Sequence, residues 1–227
     1  MRVGEMGYDC ARERIPLKSY VVLAGNIGAG KSTLVSMMCE RLGWEPYYEP
    51  VAENPYLDDF YKDMRAWAFH SQVFFLTWRA QAHRALMDVP RAVVQDRSFY
   101  EDAEVFARAL HLQGALSDRD WNTYQGLYRT LTTLLSPPDL VVYLQASVPT
   151  LQKRIALRGR RIEARISDDY LASLNALYEE WIAGFSLSPV LIVPSDKLDF
   201  VKDSKDLDLI VTTVAERLRG RQGVLFT

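Results

Sequence analysis

Cysteine is nearly missing from this chain of 227 residues: Cys10 and Cys39 are the whole complement, and they form no CxxC pair. A disulfide framework and a zinc ribbon are excluded, and a reducing, cytoplasmic location is expected. No apolar run reaches the roughly 18 residues of a membrane-spanning helix. The opening stretch MRVGEMGYDCARERIPLKS has no apolar block, so a secretory signal is not expected. Residues 1–19 read instead as a loosely held extension. An excess of charge of either sign is absent too. The net charge is −2, which gives no field to gather nucleic acid or an anionic membrane, and neither is an expected partner. Histidine is scarce. His70, His83 and His111 lie in helix-like segments without ligand spacing, so direct chemistry by them is not expected. There is no internal repeat, low-complexity tract or interdomain linker, and no N-K-x-D guanine-reading motif.

What is present is a regular alternation. Four apolar β-type runs, Tyr20–Ala24, Ala92–Gln95, Leu140–Gln145 and Val190–Val193, do not alternate in polarity, as befits strands buried on both faces of a parallel sheet. A weaker run, Glu45–Glu49, completes a set of five. Between the runs lie helix-like segments: Ser32–Leu42, Pro55–Met87, Tyr100–Leu112, Asp118–Leu135, Pro149–Arg158, Asp168–Phe185 and Lys205–Arg219. Ser117 or Asp118 is placed to cap the fourth. The expected fold is α/β, a five-stranded parallel sheet with helices on both faces, in one domain over 20–227.

The sharpest motif follows the first strand. Gly25-Asn26-Ile27-Gly28-Ala29-Gly30-Lys31-Ser32 satisfies G-x-x-x-x-G-K-[ST], with a buried strand before it and the helix Ser32–Leu42 after it, whose Thr33 is a further candidate phosphate contact. Glycines let the backbone turn its N–H groups toward phosphate oxygens, and the helix offers its positive end to the same anion. Lys31 can reach the β- and γ-phosphates, and the Ser32 hydroxyl can coordinate Mg2+. The pattern implies a nucleoside triphosphate such as ATP with Mg2+, and leaves the acceptor open.

Three classes share such a loop: motor or switch NTPases, small-molecule kinases and non-catalytic nucleotide-binding modules. A kinase acting on a hydroxyl needs a carboxylate to take its proton and arginines to neutralise the transferred group. Glu49 ends the second strand, at the sheet edge where ligands bind in doubly wound folds. Asp96-Arg97-Ser98 follows the third strand at the same edge. Asp96 is a candidate Mg2+ ligand and Arg97 a candidate phosphate or acceptor contact, with a plain structural ion pair as the bland alternative. Arg154 and Arg158 stand one helical turn apart before Gly159, Arg160 and Arg161. An arginine-bearing lid, about 154–167, reads this way, and so does a solvated basic face.

Several blocks together carry a resemblance: GNIGAGKST, YYEPVAENPYL, the Tyr61, Gln72 and Arg79 spacing, QDRSFYED and LQKRIALRGRRIE. The sequence resembles the deoxyribonucleoside kinases, the group of deoxycytidine, deoxyguanosine and deoxyadenosine kinases, over roughly Tyr20 to Leu218. The resemblance implies the P-loop kinase fold and a dimer. It implies that Glu49 accepts the proton of the nucleoside 5′-hydroxyl, held also by Arg97, and that Asp96 organises Mg2+ with Ser32. Gln72 matches the glutamine that binds the base edge, and Tyr61 and Glu163 the pair on the sugar 3′-hydroxyl. Arg154, Arg158 and Arg160 match lid arginines. Asp199-Phe200 matches the loop against which the ATP adenine packs. Arg79 and Asp102 match a pair found in members that accept purines or cytosine, whereas thymidine-preferring members carry smaller or apolar residues there.

The residues' chemistry agrees with this. An amide, a guanidinium and a carboxylate can serve a base that carries both donors and acceptors. Gln72 and Arg79 share a helix face, and Phe106, one turn after Asp102, is placed to stack on a base. A buried ion pair that only stabilises the helices is the plainer reading of Arg79 and Asp102. The expected function is ATP- and Mg2+-dependent phosphorylation of a 2′-deoxyribonucleoside at its 5′-hydroxyl. Deoxyadenosine is favoured, with deoxyguanosine and deoxycytidine as rivals. A nucleoside monophosphate kinase is disfavoured because Glu49 would repel the acceptor's own phosphate. A non-catalytic nucleotide-binding module would need the loop but not Glu49, Gln72, Arg79, Arg97 and Asp102 together.

Overall fold

The computed structural model describes residues 18–48, 54–160 and 166–220. Five strands, β1 (Tyr20–Ala24), β2 (Glu45–Tyr47), β3 (Val93–Asp96), β4 (Leu140–Gln145) and β5 (Val190–Pro194), form one sheet in the order β2-β3-β1-β4-β5. Every pairing is parallel. The helices are α1 (Lys31–Leu42), α2 (Leu57–Lys62), α3 (Met64–Met87), α5 (Asp118–Leu134), α6 (Val148–Arg158), α7 (Asp168–Gly184) and α8 (Ser204–Leu218), with α4 between α3 and α5. Helix α4 begins at Phe99–Glu101, continues through a π-helical segment, Asp102–Ala107, and ends at Arg108–Leu112.

The strands explain why their runs do not alternate. In β4, Leu140, Val142 and Leu144 point to the core shared with α1, α6 and α8, while Val141 and Tyr143 point to the core shared with α3, α4, α5 and α7. Both faces are covered, so both sets of side chains must be apolar. The edge strands β2 and β5 are less covered, with Ile192 of β5 exposed, and β2 departs furthest. It lies at an edge, is only partly buried, and stops at Tyr47; the remainder of the expected run reaches into residues outside those described.

Two helix expectations are modified. Pro55–Met87 is two helices, because Asp63 adopts an extended conformation and its carboxylate accepts the Ala66 N–H at 3.1 Å. That caps α3 and separates it from α2. The cap of α5 resolves to Ser117, whose hydroxyl accepts the Asp120 N–H at 3.2 Å.

The register sets the site. Leu23 of β1 stands beside Asp96 of β3. The chain leaves β1 for the loop at Gly25 and leaves β3 for the turn at Arg97 side by side, at the carboxyl edge where strand order reverses.

Candidate active site

The loop 25–30 is tightly built. Gly25, Gly28 and Gly30 have φ of 149°, 82° and 99°. At Gly28 a Cβ would stand 2.8 Å from Ile155 Cγ1 and 2.9 Å from the Leu151 carbonyl, so glycine is required by space as well as by backbone. Asn26 ties the loop to α7, donating to the Leu171 carbonyl at 3.0 Å and to Asn175 Oδ1 at 2.8 Å. Arg154 grips it from α6, donating to the Ala29 carbonyl at 2.8 Å and to the Ser195 carbonyl at 2.9 Å. Helix α1 opens with no side-chain cap on Gly30 and no acidic residue in its first turn. Its first N–H groups and positive dipole end therefore suit an anion. Lys31 is buried and folds back onto the loop, with Nζ 2.6 Å from the Gly25 carbonyl and 3.0 Å from that of Asn26. Ser32 and Thr33 are exposed on the first turn, and Ile27 is half-buried.

Across the strand gap, the Ser32 hydroxyl donates to Asp96 Oδ2. A hydroxyl and a carboxylate side by side suit Mg2+, a hard cation that takes oxygen ligands and usually completes its shell with phosphates and water. Among the described residues no group of three or more His, Cys, Asp or Glu side chains could hold a metal alone.

Arg97 follows Asp96 with φ 71°, the one non-glycine residue in the left-handed region among those described. Such a conformation costs on the order of 1–3 kcal/mol and persists only where its surroundings hold it. Its N–H donates to the Leu23 carbonyl at 3.0 Å, and its guanidinium lies 4.3 Å from the centroid of the Phe106 ring. The expected stacking residue is thus also the platform for Arg97. Tyr170, on α7, belongs to the same corner. Burial pushes its phenol up to about 12, with Tyr61 adding to the shift and Arg97 opposing it.

Gln72 and Arg79 lie on α3 and Asp102 opens the π segment; all three are buried. Arg79 Nη1 and Asp102 Oδ1 form the expected ion pair, with the guanidinium also 5.4 Å from the Phe75 ring centroid. Gln72 Oε1 and Asp102 Oδ2 are both buried without a hydrogen-bond partner among the described residues. Two unpaired acceptors in an interior are costly unless something donates to them.

Other expected residues are less tightly placed. Tyr61 on α2 is half exposed. Arg158 ends α6 and Arg160 follows it, both exposed, and Gly159 between them has φ 65°. Asp199 and Phe200 diverge: Asp199 is exposed and pairs with Lys202, whereas Phe200 is buried against Gly30. Glu49 and Glu163 lie outside the described residues.

Sequence reading missed Glu101, Tyr178 and Asn54. Glu101 is fully buried and bridges the loop to the turn after β3. It accepts from Gly25 N at 3.2 Å, Ser98 N at 3.1 Å and the Tyr178 hydroxyl at 2.8 Å. Burial first, then the Glu101 charge, push the Tyr178 phenol well above its ordinary range, and Arg97 opposes them. Asn54 is buried and donates to Ser71 Oγ at 3.0 Å, directly before Gln72.

The deoxynucleoside kinase family profile matches residues 21–219. The chain belongs to the deoxynucleoside kinase family. Among curated relatives, it is 35% identical over 210 residues to a deoxyadenosine/deoxycytidine kinase of Bacillus subtilis, covering 92% of this chain and 97% of the relative. It is 34% identical to a deoxyguanosine kinase of Lactobacillus acidophilus, covering 88% and 90%. A solved deoxyadenosine kinase from M. mycoides, with dCMP and dCDP bound, superposes with a TM-score of 0.76 at 32% identity, covering 86% of this chain and 98% of that one. This deoxynucleoside kinase has the P-loop kinase fold, and family membership implies ATP as phosphate donor. Relatives acting on different bases stand at similar identity, so family membership leaves the base open. Among the described residues no helix is long and apolar enough to cross a membrane.

Proposed function

We propose that this deoxynucleoside kinase phosphorylates the 5′-hydroxyl of 2′-deoxyadenosine with ATP and Mg2+, supplying a DNA precursor by salvage. The observation that carries the choice of base is the pair of buried acceptors, Gln72 Oε1 and Asp102 Oδ2. Adenine presents an exocyclic amine next to a ring acceptor. An amide matches that edge with both its groups, and a carboxylate oxygen accepts the amine's second hydrogen. Cytosine offers a similar amine on a smaller ring. Guanine replaces the amine with a carbonyl at the corresponding position. Deoxycytidine and deoxyguanosine are therefore the rival substrates.

Glu49 accepts the hydroxyl proton as the oxygen attacks the γ-phosphorus, the bond from that phosphorus to the β,γ-bridging oxygen breaks, and ADP leaves with the electron pair. Lys31, Arg97 and the lid arginines Arg154, Arg158 and Arg160 offset charge on the transferred group. The loop Gly25–Gly30, with Thr33, cradles the phosphates, and Asp199 and Phe200 border the ATP base. Tyr61 and Glu163 hold the sugar 3′-hydroxyl, and Phe106 packs on the base. Ser32 and Asp96 would hold Mg2+, which would screen phosphate charge when bound. On this reading the lid is about 154–167 and the catalytic domain 20–227, of which 49–53, 161–165 and 221–227 lie outside the described residues.

The purified chain, offered deoxyadenosine, deoxyguanosine, deoxycytidine and thymidine with ATP and Mg2+, is expected to show its highest kcat/KM on deoxyadenosine and its lowest on thymidine. A preference for deoxyguanosine by tenfold or more, about 1.4 kcal/mol in transition-state binding, would overturn the adenine reading and leave the family intact. Nucleotide binding with no turnover on any of the four would favour a non-catalytic module.

A homodimer is part of the same proposal. Leu127 and Leu134 are seven residues apart on α5, on one face, and are 43% and 70% exposed. A second copy packed along this helix would cover them. Sedimentation is expected to show a dimer, and Leu134→Lys a shift toward monomer; a monomeric wild type at micromolar concentration rules the dimer out.

A further inference from the structure

Glu101 has no place in the mechanism above, yet its carboxylate is among the most buried polar groups of the chain. A glutamate three residues after a helix-capping serine ordinarily lies at the surface, closing a capping box. Here only one oxygen does so, with Oε2 taking the Ser98 N–H at 3.1 Å. The other, Oε1, reaches away from its own helix to the Gly25 N–H at 3.2 Å and the Tyr178 hydroxyl at 2.8 Å. One side chain thus joins the first residue of the phosphate loop to the turn that carries Arg97. Those two segments leave neighbouring strands, and their separation sets the distance between the phosphates and the acceptor hydroxyl.

We propose that Glu101 is a positioning residue for phosphoryl transfer, fixing the phosphate loop against the Asp96-Arg97-Ser98 turn, with Tyr178 as its partner. The proposal rests on the kinase reading above and adds a residue that touches neither substrate. Two details support it. Arg97 is held in a left-handed conformation between the Leu23 carbonyl, which binds its N–H, and Ser98, which Glu101 binds. Releasing Ser98 releases one of the two anchors of that strained residue. The second detail is the Tyr178 hydroxyl, which stands 2.8 Å from the Gly25 carbonyl as well as from Glu101. A phenol has one hydrogen, and a carboxylate only accepts. The Gly25 carbonyl only accepts as well, so the one phenol hydrogen serves either oxygen, and Lys31 also donates to that carbonyl at 2.6 Å. When Lys31 turns to the phosphates, the Gly25 carbonyl loses that donor and Tyr178 is already within reach of it. The same carbonyl is thus satisfied in both arrangements, and the loop keeps its shape as Lys31 moves.

The tests are Glu101→Gln and Tyr178→Phe, read as kcat and KM for both substrates at a temperature well below each variant's Tm. In Glu101→Gln one of the two backbone N–H groups faces an amide NH2 rather than an acceptor. A shift of about 1 Å between reacting groups costs on the order of 10²-fold, so kcat is expected to fall about 10–100-fold while both KM values stay within about threefold. Tyr178→Phe is expected to lower kcat less. The double variant is expected to fall little below Glu101→Gln alone, since residues acting as a unit are not additive. Wild-type kcat in Glu101→Gln, with only a lower Tm, would show a purely structural role and overturn the proposal. A raised KM for ATP at unchanged kcat would overturn it as well. If Glu101→Gln does not fold, Tyr178→Phe decides by the same split between kcat and KM. A wild type without turnover would instead sink the kinase reading, so the two failures are distinguishable.

Discussion

Glu49→Gln is expected to bind nucleoside normally and to lose about 10²- to 10⁴-fold in kcat, the range that a positioned general base contributes. Strand β2 ends at Tyr47, which pairs with Gln95 immediately before Asp96. Glu49 follows two residues later in sequence, and the strand that β2 pairs with is the one that ends at Asp96. Glutamine keeps the shape and a hydrogen-bonding oxygen but has no basic oxygen to take the proton. Binding measured by titration and turnover measured with saturating ATP therefore separate the two roles. Loss of binding along with turnover would assign Glu49 to nucleoside recognition, and near-normal kcat would remove it as the base.

The strands and the phosphate loop were legible because each is encoded locally. Tyr20–Ala24 and Leu140–Gln145 are continuous apolar runs, and the sheet buries them on both faces over the same residues. The loop's glycines mark positive φ, and Gly28 also marks a close approach by α6. The Arg79–Asp102 pair could be read because the resemblance placed two opposite charges on neighbouring helices. What escaped was what tertiary contact decides. The break at Asp63 has no proline or glycine to announce it, and the apolar pattern runs on through it. The π segment Asp102–Ala107 has no local code. It sits where Asp102 meets Arg79 and Phe106 meets Arg97, two demands from different parts of the chain. Asp199 and Phe200 are adjacent yet one is exposed and the other lies under the loop, a difference that only the turn after β5 produces. Glu101 left one trace, its three-residue spacing from Ser98. Its bonds to Gly25 and Tyr178 bring together positions 76 and 77 residues away, which no spacing rule would reveal.

Arg79→Met is expected to destabilise the protein by about 3–5 kcal/mol, because it leaves Asp102 as a buried carboxylate without its guanidinium. Asp102 is only 3% exposed and one of its oxygens is already unpartnered among the described residues, so it has little access to water to compensate. At about 2–4 °C per kcal/mol for a chain of this size, Tm should fall by roughly 6–20 °C. A fall of only a degree or two would mean that water or another donor reaches Asp102. Stability alone does not say whether the pair reads the base, since a structural ion pair would behave the same way. The double variant Arg79→Met/Asp102→Ala separates the two. With both charges gone no buried charge remains unpaired, and much of the lost stability is expected to return. If the pair also serves the base, kcat/KM on deoxyadenosine stays low in this refolded protein, by about tenfold or more, while the relative rate on thymidine rises. That outcome would mean that the ion pair is built to hold a carboxylate oxygen toward the ligand, at a cost in stability that an apolar pair would not carry. Recovery of both stability and deoxyadenosine activity would make the pair structural, and base choice would then rest on Gln72.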